Sequence, residues 1–273
     1  LVGSEMCIRD RDGEELIESF YKEMDFGTGG MRGLMGVGPN RINKYTIGKA
    51  TQGLASALIG MYSGQNISVA IAYDCRHNSN KFALSAAEVL TANGIKAYLF
   101  NSLRPTPELS FAVRELGCKG GIVITASHNP KEYNGFKVYG ADGAQIVSPF
   151  DAELINKVRG LSINDVNFNA NKELMIGLGE DMDNAYLARL KTLSLSPGSI
   201  KEQKDLSIVF TGIHGTGSVI VPKALKAFGF NNVTTVASQD IIDGNFPTVH
   251  SPNPEEPAAL EQAILLALSL IHI

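Results

Sequence analysis

The sequence has little cysteine, no long apolar run and little net charge. Its 273 residues include three cysteines at positions 7, 75 and 118, too far apart to indicate a disulfide framework or a metal site. A reducing compartment such as the cytoplasm is the simplest expectation. The chain contains no run of about 18 apolar residues, so neither a transmembrane helix nor a membrane partner is expected. With 24 Lys plus Arg and 28 Asp plus Glu, the net charge of −4 argues against a nucleic-acid-binding protein.

The two ends of the sequence differ in character from the rest. The first stretch, LVGSEMCIRDR, lacks the basic start and apolar run of a signal peptide. The last stretch stops within an apolar helical pattern that no Gly or Pro closes. Both SEMCIRDR and LSLIHI resemble translated sequencing-adaptor tails, so we expect residues 4–11 and about 268–273 to be non-native, within a leader over 1–13. A natural terminus followed by a final helix is the alternative.

Strand-like and helix-like segments alternate along the first half of the chain. Short β-rich runs predict strands at 67–73, 95–100 and 120–125 and one more at 136–139. Helical spacing predicts helices at 14–24, 46–62, 78–93 and 106–116. Alternation at this spacing is typical of a parallel sheet covered by helices. The expected fold class is therefore α/β, with a parallel mixed sheet that carries helices on both faces.

The same patterns predict two domains. Residues 14–165 form the first, in which 27–38 is expected to be a glycine-dense loop. Residues 166–180 are expected to be a linker, because residues 161–172 are rich in Asn and Ser. A second strand–helix–strand pattern at 206–210, 219–228 and 232–236 predicts a similar, truncated α/β domain over 181–273.

The most informative motif is TASHNP, which follows the third predicted strand. Ligands of parallel α/β sheets bind beyond the carboxyl ends of strands, and Pro130 disfavours a helix, so Ser127 is expected on a rigid, ligand-facing loop. A polar turn without function, a serine hydrolase and a phosphoryl carrier are the three interpretations. The hydrolase is disfavoured because adjacent Ser127 and His128 are not expected to face each other, and the G-x-S-x-G motif is absent. Phosphoryl transfer mainly requires positioning and donors for the phosphate oxygens, which nearby Lys131 and Lys137 could supply.

TASHNP and the KEYNGFKVY that follows it resemble the phosphoserine loop of the α-D-phosphohexomutases, the phosphoglucomutase/phosphomannomutase superfamily. Further similar motifs occur in the family's order. FGTGGMRG resembles its N-terminal arginine loop, and YDCRHNS and TPELSFAV resemble its first-domain strand–helix junctions. HGTG and DGNFPTVHSPNPEE are similar to its second domain, in the phosphoglucomutase/phosphopentomutase-like branch. The resemblance covers about residues 20–267 and implies phosphohexomutase domain I over 14–165, followed by part of domain II over 181–273.

The resemblance implies roles for four residues. Ser127 matches the serine that is phosphorylated in the resting enzyme and exchanges its phosphoryl group with sugar hydroxyls. Lys137 matches the proposed general acid/base, a role that requires a lowered pKa. Arg32 matches an arginine that contacts phosphate near the reaction centre, and its planar fork can bind two oxygens. His128 matches a residue beside the phosphoserine and is expected to contact phosphate or substrate, with a purely structural role as the alternative.

The implied activity interconverts hexose 1-phosphate and hexose 6-phosphate through a bisphosphorylated sugar. The expected partner is a small sugar phosphate, and the expected cofactors are Mg²⁺ and glucose 1,6-bisphosphate, the latter as activator and intermediate. Phosphopentomutase, phosphomannomutase and a non-catalytic sugar-phosphate-binding remnant are the alternatives.

The sequence departs from the family at the Mg²⁺ site. The family binds the ion through a phosphoserine oxygen and three aspartates of a D-G-D-x-D-R-like loop, which this sequence lacks. The nearest spacing, Asp181-Met182-Asp183, lies in a predicted helix. Ser127, through its phosphate, is therefore the expected Mg²⁺ ligand, and we expect the polypeptide to be an inactive fragment without the third and fourth domains. The role of His214, in the HGTG motif, stays open.

Overall fold

A computed structural model describes residues 13–271, which form a larger and a smaller β-sheet with their helices. The strands are β1 (Gly30–Leu34), β2 (Ser68–Tyr73), β3 (Lys96–Phe100), β4 (Gly120–Ile124), β5 (Tyr133–Gly140), β6 (Met175–Leu178), β7 (Ile208–Phe210) and β8 (Val233–Thr235). The α-helices are α1 (Gly13–Phe20), α2 (Lys44–Met61), α3 (Ser79–Ala92), α4 (Thr106–Glu115), α5 (Phe150–Arg159), α6 (Glu180–Lys191), α7 (Pro197–Glu202), α8 (Gly217–Phe228) and α9 (Pro257–Ile271). Short 3₁₀ helices occur at Ile163–Asp165 and Lys172–Leu174.

The larger sheet has six strands in the order β1-β5-β4-β2-β3-β6. The neighbours β4, β2, β3 and β6 run parallel, whereas β5 runs antiparallel to both β4 and β1. The expected mixed, mainly parallel sheet is thereby confirmed. This topology places the loops after β2 and β4 side by side, because the two strands are parallel neighbours.

Helices cover both faces of this sheet, also as expected. Successive side chains of a strand point to opposite faces, and β2 divides its residues accordingly. Val69 and Ile71 belong to a cluster of buried side chains from α2, α3 and α5. Ala70 and Ala72 belong to a second cluster, which α4 and α6 cover from the other side.

Local sequence signals fix several helix ends. Asn43 begins α2 as part of a capping box: its Oδ1 accepts hydrogen bonds from the Tyr45 and Thr46 amides, and the Thr46 hydroxyl accepts one from the Asn43 amide. At the end of α3, Gly94 has φ +75°, a left-handed conformation that glycine adopts at little cost. Asn43 thus sets where α2 begins, and Gly94 sets where α3 ends before β3.

Two strands of the larger sheet were not predicted. β1 lies within the expected glycine-dense loop at 27–38, and it becomes a strand because it pairs along its whole length with β5. β6 lies within the expected linker at 166–180 and adds to the sheet through four residue pairs with β3. Part of this segment therefore belongs to the first sheet rather than connecting two domains.

The second region contains a two-stranded parallel sheet of β7 and β8, connected by α8. Its strand–helix–strand order matches the predicted pattern, and α9 packs against β7. The expected non-native stretch at 4–11 lies outside the described residues, whereas 268–271 continue α9. Among residues 13–271, no helix combines the length and apolar character that crossing a bilayer requires.

Candidate active site

Ser127 lies on the loop that connects β4 to β5, here called the Ser127 loop (residues 125–132). Both Ser127 and His128 are exposed. Ser127 has φ +56°, a left-handed conformation that non-glycine residues adopt only when their surroundings hold it. Its hydroxyl Oγ lies 3.4 Å from His128 Nδ1, so the two neighbours do approach each other, contrary to the sequence expectation. This distance exceeds the range of about 2.6–3.2 Å typical of a nucleophile and its base.

The carboxylate of Asp74 anchors the start of this loop. Asp74 follows β2, and its Oδ2 accepts a hydrogen bond of 2.6 Å from the Thr125 hydroxyl. The Thr125 Oγ1 in turn accepts one of 3.0 Å from the Ser127 amide. The other oxygen of Asp74 accepts from the Ser79 hydroxyl and the Arg76 amide. A short polar chain thus connects the end of β2 to the backbone of Ser127.

The guanidinium of Arg76 holds the remainder of the loop. Its Nη2 donates to the carbonyl oxygens of Ser127 and Asn129 at 2.8 and 2.6 Å. Its Nη1 donates to the carbonyl oxygens of Pro130 and Tyr133 at 2.7 and 3.1 Å. The Arg76 side chain is fully buried, and Nε lies 3.4 Å from the Asp74 carboxylate. One side chain therefore binds four main-chain carbonyls of a segment that has no regular secondary structure over most of its length.

Arg32 and Lys137 lie on one face of the sheet. Arg32 in β1 is paired with Gly135 in β5, two residues from Lys137, and side chains two residues apart on a strand share a face. Such diagonal neighbours lie about 7–8 Å apart, within reach of long side chains. The strand register puts Asp74 and Thr125, just beyond β2 and β4, on this face too.

The electrostatics of Lys137 agree with this placement. Its pKa is lowered from the ordinary value of 10.5, first because the side chain is half-buried and second because the Arg32 cation lies close. The Asp74 carboxylate opposes the shift. A lower pKa increases the neutral fraction of the amine at a given pH, which is what a proton-transfer role requires.

Chemically, this edge of the sheet offers an exposed hydroxyl, an imidazole and two cations on an adjoining face. The structure assembles around the Ser127 loop most of the elements that the sequence singled out. His214 is elsewhere: it is buried, and its Nδ1 and Nε2 lie 2.7 and 2.8 Å from the Ile241 carbonyl and the Thr248 hydroxyl. Both ring nitrogens are thus used within the second region, which supports a structural role for His214.

Asp74 and Arg76 are the contributors to which sequence reasoning assigned no role. Both lie in the YDCRHNS motif, which the sequence analysis recognised only as a strand–helix junction. One signal for such a role was available: the motif lies at the carboxyl end of β2, the parallel neighbour of β4, and ligands of parallel sheets bind at that end of the strands.

The acidic and other ligand-type side chains of the described residues do not gather into a metal site. Among residues 13–271, no group of three or more His, Cys, Asp or Glu side chains is arranged to hold a metal ion. Asp183, part of the nearest spacing in the sequence, binds Arg104 and Lys223 instead. The described residues therefore do not fit a complete Mg²⁺ site.

Comparison with known proteins identifies the family. Residues 23–163 match the family model for phosphoglucomutase/phosphomannomutase alpha/beta/alpha domain I, and residues 184–270 match that for alpha/beta/alpha domain II. The chain is 43% identical over 258 residues to a phosphoglucomutase of Staphylococcus haemolyticus and 41% identical over 259 residues to one of Staphylococcus epidermidis. Each alignment covers 93% of this chain and 46% of the relative, so the chain spans about half the length of these curated relatives.

Solved structures agree with the sequence relatives. A protein assigned as a phosphomannomutase from Thermus thermophilus has 25% identity and a TM-score of 0.71, over 90% of this chain and 52% of that one. A phosphoglucomutase/phosphomannomutase family protein from Burkholderia thailandensis shares the fold at a TM-score of 0.67 and 24% identity, over 88% of this chain and 49% of that one. The chain belongs to the phosphoglucomutase/phosphomannomutase family.

Proposed function

We propose that Ser127 carries a phosphoryl group and that this chain is part of a phosphoglucomutase-type intramolecular phosphotransferase. The reaction would interconvert hexose 1-phosphate and hexose 6-phosphate through a bisphosphorylated sugar. The observation that carries the proposal is the exposed Ser127 hydroxyl, held on a polar-anchored loop beside the face with Arg32 and Lys137. Family membership and the relatives named phosphoglucomutase support it further.

In the proposed first step, a sugar hydroxyl attacks the phosphorus of phosphorylated Ser127. The bond between phosphorus and Ser127 Oγ breaks while the bond to the sugar oxygen forms, and the hydroxyl proton finally resides on Oγ. Lys137, with its lowered pKa, is the group proposed to carry that proton. In the second step, Ser127 Oγ attacks the other phosphate of the bisphosphorylated sugar, and the Oγ proton passes to the sugar oxygen that is released. This step restores phosphorylated Ser127.

Arg32 and His128 have supporting roles in this scheme. The guanidinium of Arg32 can bind two phosphate oxygens at once and balance their charge. His128 lies close enough to Ser127 Oγ to contact a phosphoryl group placed there. Both residues are exposed and can therefore meet a sugar phosphate from solvent.

The cofactors and compartment belong to the same proposal. Glucose 1,6-bisphosphate would be the phosphoryl donor that starts the cycle, and family membership leads us to expect Mg²⁺ in a protein that contains this chain. No step above is routed through Mg²⁺, because residues 13–271 do not supply its ligand set. The sparse cysteines favour the cytoplasm.

Glucose phosphates are the favoured substrates, because the curated relatives are named phosphoglucomutase. Pentose and mannose phosphates are the alternatives within the same chemistry. A non-catalytic sugar-phosphate-binding protein is a second candidate, and the missing metal-ligand group among the described residues favours it for this polypeptide. We accordingly expect the 273-residue chain to show little or no repeated mutase turnover, and the experiments below follow a single phosphoryl transfer to Ser127 instead.

The deciding experiment locates a phosphate on Ser127. The chain is incubated with glucose 1,6-bisphosphate, with and without Mg²⁺, and examined by intact-mass analysis and peptide sequencing in the mass spectrometer. We expect one phosphate, on Ser127, that is absent from Ser127→Ala and present in Ser63→Ala, a control at another serine outside the site. Equal labelling of Ser127→Ala would refute the assignment.

A binding measurement separates the two candidate functions. Glucose 1-phosphate is titrated into the same samples. If the chain binds the sugar phosphate while Ser127 never accepts a phosphoryl group, the non-catalytic candidate is the correct one. Robust turnover of glucose 1-phosphate by the 273-residue chain would contradict our expectation of an inactive polypeptide.

A further inference from the structure

The four hydrogen bonds from Arg76 determine the backbone path of the Ser127 loop. They reach carbonyls at positions 127, 129, 130 and 133, so they span the loop from the serine to the first residue of β5. One of these carbonyls belongs to Ser127 itself. Only a planar guanidinium with several fixed donors can serve so many acceptors at once, and a lysine ammonium has three donors at a single atom.

The conformation of Ser127 makes such a restraint necessary. A φ of +56° is unfavourable for a residue with a Cβ, so the backbone would relax if its contacts were removed. The direction of the Oγ hydroxyl follows from the backbone at the same residue. A residue that holds the Ser127 carbonyl therefore also sets where its hydroxyl points.

Arg76 is itself enclosed by a turn of the second region, residues 243–246. The Arg76 guanidinium carbon lies 5.5 Å from the centroid of the Phe246 ring, a cation–π contact. At Gly244 the two backbones are so close that an added Cβ would lie 2.7 Å from the Cys75 carbonyl oxygen. His77 Nε2 also lies 2.9 Å from Asn245 Oδ1.

Phe246 is buried and has φ +51°, so this turn, too, is held in an unfavourable conformation. The second region therefore contacts Arg76 and its neighbours Cys75 and His77. The turn that contacts Arg76 lies about 120 residues further along the chain than Ser127. No local sequence pattern would indicate a contact between segments so far apart.

We infer that Arg76 is the positioning residue for Ser127, and that the turn at 243–246 keeps Arg76 in place and so connects the second region to the phosphoryl-accepting hydroxyl. This inference rests on the proposed function for its chemical consequence, although the restraint on the loop can be measured independently. It assigns no contact between Arg76 and the substrate.

The test uses the full chain with two variants and two matched controls. Arg76→Lys keeps the charge but loses most of the carbonyl contacts, and Phe246→Leu disturbs the enclosure while leaving Arg76 unchanged. Arg41→Lys alters another buried arginine, which bonds to the Asn40 carbonyl and Glu18 and does not contact the loop. Phe210→Leu alters a second-region phenylalanine in β7.

The first measurement is amide hydrogen exchange of a peptide that covers residues 125–135. Its Ser127, Asn129 and Tyr133 amides are hydrogen-bonded within the loop. We expect exchange at least about tenfold faster in Arg76→Lys and a smaller increase in Phe246→Leu, with α3 unchanged in both. Neither control should change the loop. Unchanged loop exchange in both test variants would overturn the inference. If Arg76→Lys does not fold, the loop exchange of Phe246→Leu alone decides between the two outcomes.

The second measurement is the rate of Ser127 phosphorylation by glucose 1,6-bisphosphate. A positioning role predicts a maximum rate at least about tenfold lower in Arg76→Lys, while the half-saturating bisphosphate concentration stays the same. If wild-type Ser127 takes up phosphate and both variants match it, the inference is wrong. If wild type takes up none while loop exchange still differs among the variants, the proposed function fails and the restraint by Arg76 stands.

Discussion

Glu108 is a buried carboxyl group whose titration should control the pH dependence of stability. It lies in α4, fully buried, and within residues 13–271 neither of its oxygens accepts a hydrogen bond. Arg104 Nε is 3.7 Å away, but that guanidinium donates to both oxygens of Asp183 at 2.7 and 2.9 Å. Lys223 in α8 also donates to Asp183 at 2.9 Å. The two nearby cations are thus engaged with Asp183, and the close neighbour of Glu108 is the Asp183 carboxylate, to which Glu108 can donate a hydrogen bond only when it is protonated.

This arrangement raises the pKa of Glu108 from 4.5 to about 8, chiefly because the group is buried. The Asp183 carboxylate adds to the shift, whereas the Arg104 and Lys223 cations oppose it. Between these two pH values the folded chain retains a proton that the unfolded chain has lost. Stability from this group should therefore fall as pH rises from about 4.5 to about 8 and stay level above that.

Replacing Glu108 by glutamine removes the proton equilibrium and keeps the shape of the side chain. Each pKa unit corresponds to about 1.4 kcal/mol, so the full effect is on the order of a few kcal/mol. Near pH 5 the wild type and Glu108→Gln should have similar free energies of unfolding, because the wild-type carboxyl is neutral there. Near pH 8 the variant should be the more stable, by up to that amount.

Urea unfolding followed by circular dichroism at several pH values between about 5 and about 9 measures this difference. Glu115→Gln is the matched control, because Glu115 is exposed at the other end of α4. Its free energy of unfolding should run parallel to that of wild type. Parallel curves for wild type and Glu108→Gln would refute the assignment of a raised pKa to Glu108.

Three further changes have defined outcomes. Asp183→Asn leaves the buried Arg104 without its ion partner and should cost about 3–5 kcal/mol in urea unfolding; a loss below about 1 kcal/mol would contradict the buried pair. Lys137→Arg keeps a cation but cannot readily exchange a proton, so the phosphorylation rate of Ser127 should fall about 10²–10⁴-fold, and a wild-type rate would exclude Lys137 as the proton carrier. Thr125→Val removes the hydroxyl that bonds both Asp74 and the Ser127 amide, so amide exchange of residues 125–135 should become at least about tenfold faster, with a loss of only about 1 kcal/mol in thermal unfolding; unchanged exchange would contradict a role of this polar chain in holding the loop.

Sequence reasoning located the central strands because they are buried runs with clear boundaries. β2 and β4 carry almost only buried side chains, β3 is partly buried, and the helices that separate these three strands have recognisable ends, such as Gly94 after α3. β1 could not be found in this way because its five residues, GMRGL, include two glycines and belong to a glycine-dense stretch. β6 is a four-residue edge strand whose middle residues are exposed, so it shows no buried run. Pairing with β5 and β3, rather than intrinsic preference, makes these two segments strands.

The residues of the candidate site can likewise be divided into those that a sequence motif indicates and those that it does not. Ser127, Lys137 and Arg32 could be selected from their motifs, because the motifs carry the resemblance to the family. The proximity of Ser127 and His128 was not expected, since it depends on the left-handed backbone at Ser127. Arg76 was not selected because its partners are main-chain carbonyls, which leave no mark in the sequence.

The contacts that hold Ser127 differ in kind from those that hold the sheet. The sheet rests on buried apolar clusters on both of its faces, whereas the Ser127 loop rests on the polar contacts of Asp74, Thr125 and Arg76. A typical hydrogen bond contributes about 1 kcal/mol net, and more when one partner is charged, so losing one of these contacts removes little of the stability of the whole chain. It removes a large part of what holds the loop, however, because few other interactions restrain it. The position of the Ser127 hydroxyl can therefore be lost while the fold persists, which makes local exchange a more sensitive measure of the site than thermal unfolding.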